Sequence, residues 1–501
     1  MLRTSSYVIY LDLPDNNGDI LLVHGYTGAY DRVSRRVATY LRSLEPGRPS
    51  KPLYGGWSPE PPIEGKVIPP SEKTIKVLER RGYVTEKTIE EEETLFDKIA
   101  TMLHDQATHR MPGYIFMPTY NCNLRCPYCY QDHMRSDPAF KHLLDTTMQP
   151  ELVDRIFEAM PQIEAHHNVP EDTQSRLSIG FYGGEPLLEQ NRSIVEYIVN
   201  KALAQGEVGF SAVTNATELH AYRDLLGPDK ISSLQITLDG PPYEHDQRRV
   251  YADGSGSFEH IASNITTALD LDVRVSVRLN IDRNNIHQLP ELTDEIIAQG
   301  WDRHKGFSAY TSAIHATNDK TDVKTTMSSW ELDKALTEMR QQYPNMRVIQ
   351  RPDDGLRDRI WRIFDKQANP MPNFKASFCA AHVGMYIIDP FGDLYACWER
   401  TNDPEIRIGH ITKDGDVVLN SEIEQTWRSR TVTSNPTCLK CRYAFYCGGG
   451  CAARALNHHN EFFTNYCDGF AARFRDSTAK AYLDFIAGVK PVTKQDQGCE
   501  V

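Results

Sequence analysis

The stretch Cys122-Asn123-Leu124-Arg125-Cys126-Pro127-Tyr128-Cys129-Tyr130 spaces three thiols as C-x3-C-x2-C, directly after an apolar, extended run at 114–117. Three thiols this close on one loop make a metal site. A [4Fe–4S] cube has four iron corners and ordinarily takes four thiolates. A loop that offers three, with no fourth nearby, leaves one iron open to a ligand that is not protein. Zinc also takes thiolates and stays as the alternative occupant, although zinc sites show ligand pairs at paired spacings and no partner Cys or His pair lies near this loop.

These residues resemble the signature of the radical S-adenosylmethionine (radical SAM) family, in which an aromatic stands just before the third Cys, here Tyr128. The resemblance implies that the open iron chelates the amino and carboxylate groups of S-adenosylmethionine. It also implies that an electron from an external donor of flavodoxin or ferredoxin type cleaves the sulfonium, giving methionine and a 5′-deoxyadenosyl radical that takes a hydrogen from the substrate. Such chemistry belongs to the cofactor, which the protein orients and shields from side reactions.

Outward from the loop, residues 106–314 alternate strand and helix, with strands expected at 114–119, 177–182, 210–215, 234–239, 273–279 and 306–312. Helices are expected near 149–160, 190–204, 218–226, 259–270 and 288–299. Six βα steps imply a parallel sheet, whose site lies at the carboxyl ends of its strands. The expected fold class is α/β, and the partial (β/α)6 TIM-like barrel of the radical SAM family fits the count.

Further stretches at strand ends match the family. Gly183-Gly184-Glu185-Pro186 corresponds to its GGEP motif, where glycines allow close backbone approach and where, by resemblance, the methionine amino group is held. Thr214-Asn215-Ala216 stands where the family often has Thr-Asn-Gly. Thr237-Leu238-Asp239-Gly240-Pro241, followed by His245, Asp246 and Arg248, resembles the Ser-x-Asp-Gly-Pro…His-Asp-x-x-Arg run of the peptide-modifying branch. Arg278 is a candidate for the cofactor carboxylate; its plain reading is a structural ion pair. The resemblance thus names Tyr128, Gly183, Gly184, Glu185, Pro186, Asn215, Thr237 and Arg278 as S-adenosylmethionine contacts and singles out no catalytic acid or base.

Residues 1–105 read as a small separate module. A hairpin at 6–11 and 19–24, joined through Asp15-Asn16-Asn17-Gly18, precedes helices at 31–44, 72–81 and 88–103 and a Pro/Gly-rich loop at 46–70. The expected winged-helix-like shape resembles the elements that bind leader segments of ribosomally made precursor peptides, often by adding the peptide as a strand; a plain structural extension is the alternative. Residues 315–375 form a bridging region with helices at 328–342 and 353–366.

A second cysteine field fills 376–475: Cys379, Cys397, Cys438, Cys441, Cys447, Cys451 and Cys467, with Gly448-Gly449-Gly450 between two of them. Its order matches the seven-cysteine SPASM extension of many radical SAM enzymes. By that resemblance one auxiliary [4Fe–4S] cluster uses Cys438, Cys441, Cys447 and Cys467, and another uses Cys379, Cys397 and Cys451 with its fourth ligand undetermined, for three clusters in all. Zinc is again the alternative at 438–451. Cys499, in the polar tail 476–501, is expected to be unliganded.

Composition narrows the function. The 501 residues suggest roughly two to four domains. A net charge of −13 argues against a nucleic-acid partner, since phosphate binding calls for a basic surface. Residues 1–13 are broken by Arg3 and Asp12, unlike a secretory signal, and no apolar run reaches membrane-spanning length. A cytoplasmic protein with no membrane partner is expected, and ten of its eleven cysteines read as metal ligands in a reducing compartment. The SPASM resemblance implies a peptide substrate. The expected activity is therefore a maturase that installs a carbon–carbon or thioether cross-link in a ribosomally made precursor peptide. An anaerobic sulfatase maturase that forms formylglycine is the alternative enzyme, but that family carries Asp directly after the thiol corresponding to Cys397, where this chain has Trp398. A non-catalytic iron–sulfur scaffold that binds peptide is the alternative of another class, against which the intact cysteine loop and GGEP motif speak.

Overall fold

The computed structural model describes residues 2–13, 18–45, 66–169, 176–316, 321–365 and 372–490. Asp15, Asn16 and Asn17 of the expected hairpin turn, most of the 46–70 loop, and Cys499 with the end of the tail lie outside the described residues. The chain folds as two compact units. One takes the segment up to Thr108, Asp353–Val383 and the chain from Ser429; the other takes His109–Pro352 and Gly384–Arg428. The 376–475 cysteine field thus contributes to both.

In the first unit, β1 (Arg3–Thr4), β2 (Val8–Asp12), β3 (Ile20–His24) and β4 (Tyr30–Val33) precede helices Arg35–Ser43 and Glu72–Arg80, β5 (Val84–Thr85) and helix Ile89–Thr108. β1 pairs with β5, and β2-β3-β4 form an antiparallel sheet with β4 at one edge. The hairpin and the three helices lie where the sequence places them, and the 31–44 run divides into β4 and a shorter helix. β2 and β3 are apolar at successive positions rather than alternately, because both faces of the sheet are covered. Val8, Tyr10, Ile20 and Leu22 pack with Ala38, Leu41, Leu78 and Tyr83. Ile9, Leu11, Leu21 and Val23 pack with Ile360 and Trp361 of helix Asp354–Phe364 and with Phe474 of helix Phe470–Ile486.

Helix Ile89–Thr108 carries Glu90, Glu91 and Glu92 in its first turn, where carboxylates suit the helix dipole. Glu92 has a further role: fully buried, it accepts from Ser5 Oγ (2.5 Å), Ser6 N (2.9 Å), Tyr26 OH (3.1 Å) and Arg3 Nη2 (3.0 Å). Burial alone would raise its pKa, but these donors outweigh it and leave the carboxyl lowered. Farther along the same helix, Phe96 stacks on Tyr7 at 4.5 Å and on Phe445 at 4.1 Å. The N-terminal segment therefore shares its cores with the chain beyond Ser429.

The second unit is built on one sheet. β6 (Gly113–Phe116), β7 (Leu177–Phe181), β8 (Val208–Thr214), β9 (Ile231–Leu238), β10 (Arg274–Ile281) and β11 (Phe307–Ala313) lie parallel and in sequence order. Helices Pro150–His166, Arg192–Leu203, Phe258–Asp270 and Leu289–Ala298 make four crossovers; the run expected as a helix at 218–226 is a 3-10 stretch, Leu219–Leu225. β12 (Ile349–Gln350) adds beside β11. At the opposite edge, β13 (Met385–Ile388) runs parallel to β6, followed by antiparallel β14 (Asp393–Tyr395), β15 (Arg407–Ile411) and β16 (Val417–Leu419). The hairpin between Cys379 and Cys397 thus extends the barrel sheet. Its four apolar residues, all buried, cover an edge of β6 that would otherwise expose unpaired main-chain groups.

Candidate active site

Cys122, Cys126 and Cys129 lie on the loop after β6, at the end of the sheet where every parallel strand of the barrel terminates. The GGEP turn after β7 holds one flank of this loop. Gly184 N donates to Thr119 O (3.1 Å) and Glu185 N to Asn121 O (2.7 Å). Gly183 has φ +148°, and a Cβ there would stand 2.6 Å from the Thr119 carbonyl oxygen; one on Gly184 would overlap the carbonyl oxygens of Tyr120 and Asn121. Only glycines let the two turns close. On the other flank Arg125 N donates to Val250 O (2.8 Å).

The Glu185 carboxylate is engaged within the protein. It is 2% exposed and accepts from Leu187 N (2.9 Å), Thr214 Oγ1 (2.5 Å) and Asn215 N (2.6 Å), tying the end of β7 to the end of β8. Burial raises its pKa to about 7 despite these donors. Asn215 Nδ2 donates to Asn123 Oδ1 (2.9 Å) and stands 3.7 Å from Cys122 Sγ, so β8 supports the cysteine loop directly. The side-chain amide of Asn191 holds the main-chain oxygens of Glu185 and Pro186, each at 3.2 Å.

Tyr128 turns its hydroxyl into a charged network. The hydroxyl donates to Asp239 Oδ2 and accepts from Arg249 Nη1 (2.8 Å) and Asn280 Nδ2 (3.3 Å). Arg248 meets Asp282 through two N–H groups (3.2 and 3.1 Å) and stands 3.7 Å from Asp239. His245 is buried and neutral, its pKa pushed well down by burial and then by Arg249 and Arg248. It accepts from Asp239 N through Nδ1 (3.4 Å), while Asp246 accepts from Ser257 N (2.8 Å) and Phe258 N (2.9 Å) at the start of the next helix. The Thr237–Arg248 run therefore builds the floor around Tyr128. Thr237 of β9 lies in register with Arg278 of β10. Arg278 donates to Asn280 Oδ1 and Ser312 Oγ, each at 3.0 Å, and among the described residues no carboxylate pairs with it. The plain reading of Arg278 as an ion-pair partner therefore does not hold.

Two neighbours of the loop escape sequence reading. Arg135, on the short helix Asp132–Ser136, lies close enough to Cys122, Cys129 and Cys126 for their charges to act on it, and its Nε and Nη1 are buried without hydrogen-bond partners. Tyr182 faces Tyr130 and packs on Trp398 at 5.4 Å. Trp398 follows Cys397, which lies in this unit. An arginine six residues beyond the third cysteine was the one available signal for the first; nothing local marks the second.

The donor set fits an iron–sulfur cube. All ten described cysteines are unbridged. Burial pushes Cys122 up to about 12 and raises Cys126, so the thiols stay protonated until a metal displaces the protons. Asp239 Oδ1 and Arg249 Nε are buried with no hydrogen-bond partner, polar atoms left over for a further group. Among the described residues no three Cys, His, Asp or Glu side chains converge as one metal ion requires; a cube gives each thiolate its own iron and needs no such convergence.

In the first unit, burial and the nearby thiols Cys441, Cys447 and Cys467 raise Cys438 far above its ordinary value, so these four groups crowd one another. Burial pushes Cys447 up to about 12. Desolvation of its sulfur likewise raises Cys379, a residue otherwise exposed, to about 11, and there the nearby thiol is Cys451. Gly448, Gly449 and Gly450 all have positive φ (+80°, +87° and +81°), and a Cβ on Gly450 would overlap the Tyr466 carbonyl oxygen. Only glycine lets the chain pass so close to the residue before Cys467.

Asp389, at the turn between β13 and β14, connects that hairpin to the cysteine loop. It is 1% exposed, accepts from Tyr120 OH, Phe391 N and Asp393 N, each at 2.9 Å, and is pushed up to about 7 by burial and then by Asp393. A raised carboxyl pKa means that the folded state keeps a proton which the unfolded chain releases from about pH 4. Its stabilising contribution is complete below that pH and is lost as pH rises through about 7. Asp389→Asn keeps the shape and the acceptor but cannot ionise. The variant is expected to flatten the dependence of the anaerobic denaturation midpoint between pH 4 and 7 and to gain up to about 4 kcal/mol at pH 8. A midpoint at pH 8 no higher than that of the parent protein contradicts this.

Residues 116–296 match the family model of the radical SAM superfamily. Over 379 residues the chain is 22% identical to the cysteine-type anaerobic sulfatase-maturating enzyme of Clostridium novyi (strain NT), spanning 73% of this chain and 94% of that protein. It is 26% identical over 345 residues to the mycofactocin maturase MftC of Mycolicibacterium smegmatis, spanning 67% and 76%. Among solved structures, native anSMEcpe with bound AdoMet and Cp18Cys peptide aligns with a TM-score of 0.52 at 15% identity, over 75% of this chain and 99% of that one. Streptococcus suis SuiB bound to its precursor peptide SuiA aligns with a TM-score of 0.50 at 14% identity, over 93% and 99%. These two show a shared fold. The three-cysteine loop at the carboxyl end of β6, the sequential parallel sheet and the family match coincide, and residues 116–296 carry a radical SAM domain.

Proposed function

We propose that this protein is a peptide maturase that installs a cross-link, carbon–carbon or thioether, in a ribosomally made precursor peptide. The observation that carries the reading is the N-terminal β2-β3-β4 sheet followed by three helices. Its last strand, Tyr30–Val33, is a half-exposed edge suited to a peptide that adds as a further strand. The two relatives named above are maturases by name, and SuiB was solved with a precursor peptide.

In this reading Cys122, Cys126 and Cys129 hold the S-adenosylmethionine-binding cube, and the glycine edge at 183–184 receives the amino-acid end of the cofactor. Bound there, the pair supplies the radical that removes a hydrogen atom from the peptide. The chain's own part is to fix the loop through Glu185, Asn215 and the Tyr128 network. Closing the new bond would release a proton and one electron; Cys438, Cys441, Cys447 and Cys467 are the residues that would hold one auxiliary cluster able to accept an electron, and Cys379 and Cys451 would contribute to a second. Cysteines without disulfides and iron suit a reducing cytoplasm, with a flavodoxin- or ferredoxin-type protein as electron donor; among the described residues no helix is long and apolar enough to cross a membrane.

The sulfatase-maturase reading has the Clostridium novyi relative in its favour, at 22% identity. The two readings separate in one assay: reconstituted protein, S-adenosylmethionine, dithionite and the small peptide encoded beside it. A cross-link removes two hydrogens and leaves no carbonyl. Formylglycine leaves an aldehyde that a hydrazide probe captures, and formation from Cys also expels sulfur. The precursor peptide is expected to slow hydrogen exchange of the β4 amides. Unchanged exchange there with a tightly bound peptide removes the docking proposal, and an aldehyde product overturns the cross-link.

A further inference from the structure

Arg430 is 4% exposed, yet among the described residues no carboxylate pairs with it. Each guanidinium nitrogen donates instead to a main-chain oxygen: Nε to Phe462 O (2.9 Å), Nη1 to Gly450 O (2.9 Å) and Nη2 to Thr464 O (2.8 Å). Carbonyl dipoles satisfy the hydrogen bonds but leave the unit charge without an anion, an unfavourable arrangement in a dry interior.

The groups around it are thiols. Gly450 precedes Cys451, and Thr464 lies three residues before Cys467. Ser377, two residues before Cys379, donates to Arg430 O (3.2 Å). A Cβ on Gly449 would stand 3.9 Å from Cys438 Sγ, within the same glycine turn that Arg430 grips. Burial lowers the guanidinium pKa, and the opposing influences come from Cys438, Cys451, Cys379 and Cys447, members of both proposed auxiliary sets.

We propose that Arg430 is a positioning residue shared by the two auxiliary clusters: its hydrogen bonds hold the segments bearing Cys451 and Cys467, and its charge favours the reduced state of both clusters. The inference rests on the auxiliary-cluster reading above. A thiolate-bound cube is anionic and becomes more so on taking an electron, so a buried cation stabilises the reduced form more than the oxidised one.

The test is an anaerobic redox titration followed by electron paramagnetic resonance, on full-length protein in which Cys122, Cys126 and Cys129 are all Ala, so that only auxiliary signals remain. With R430Q the reduced-to-oxidised ratio at a fixed potential is expected to fall about tenfold for both clusters, a shift of about 59 mV for a one-electron couple. R430K keeps the charge and is expected to stay within about threefold of the parent. An unshifted ratio in R430Q at full iron content overturns the proposal, as does an R430K shift as large as that of R430Q. Should R430Q lose its iron, R430K decides: iron retained with the parent ratio supports the role, and iron lost or a tenfold fall refutes it. If the cysteine-triple background binds no iron, where two cubes need about eight, the auxiliary-cluster reading itself fails, which differs from full iron with unshifted potentials.

Discussion

Replacing Cys126 by Ala is expected to lower S-adenosylmethionine cleavage by roughly three orders of magnitude or more, because groups that act as one unit fail together when one is removed. The loop offers three thiols, and among the described residues the local structure brings no fourth: the GGEP edge contributes main chain and glycine, and Glu185 is already engaged by Leu187, Thr214 and Asn215. On the proposed reading, two thiolates would not hold a cube whose remaining iron also binds the amino-acid end of the cofactor. The iron content should drop by about four per chain, while far-UV circular dichroism stays unchanged. The readouts are 5′-deoxyadenosine by chromatography and iron by colorimetry. Activity within tenfold of the parent would remove the cluster from this loop.

The second large effect is expected at Asp239. Its carboxylate is 1% exposed and receives the Tyr128 hydroxyl, with Arg248 3.7 Å away and the charge of Arg249 acting on the same tyrosine. Asp239→Ala would leave one buried guanidinium on Tyr128 with no anion, while Arg248 keeps Asp282. Breaking a buried pair by removing one partner costs about 3–5 kcal/mol, and that loss should appear in the anaerobic denaturation midpoint. Because Tyr128 lies between Cys126 and Cys129, the variant should also lose iron from the barrel loop faster under chelator than the parent. Asp239→Asn retains an acceptor and the shape and should fall between the two. A midpoint for the Ala variant within about 0.5 kcal/mol of the parent, the range of an ordinary surface change, would mean that the network does not hold the loop.

The cysteine loop, the GGEP turn and the six parallel strands were legible because each is a local signal: ligand spacing along a few residues, glycines at a turn, apolar runs bounded by polar ones. The helical elements of the N-terminal module were equally readable from their periodicity. Trp398 was visible as a departure from the sulfatase-maturase pattern, although its packing on Tyr182 was not.

Other features depend on residues far apart in the chain, where no spacing rule reaches. Tyr7 OH donates to Leu439 O (2.7 Å) across a separation of 432 residues, and Phe96 meets Phe445, so the N-terminal module shares one unit with the part of the second cysteine field beyond Ser429. β13 covers the edge of β6, more than 250 residues earlier in the sequence. Arg135 and Arg430 look in sequence like ordinary charged residues and become cations beside thiols only when the chain closes around them. Sequence alone marked which thiols are candidates for metal and which strands carry them, since covalent spacing sets both. Tertiary structure decided which charges and edges surround those atoms, since burial removes the water that would otherwise screen and solvate them.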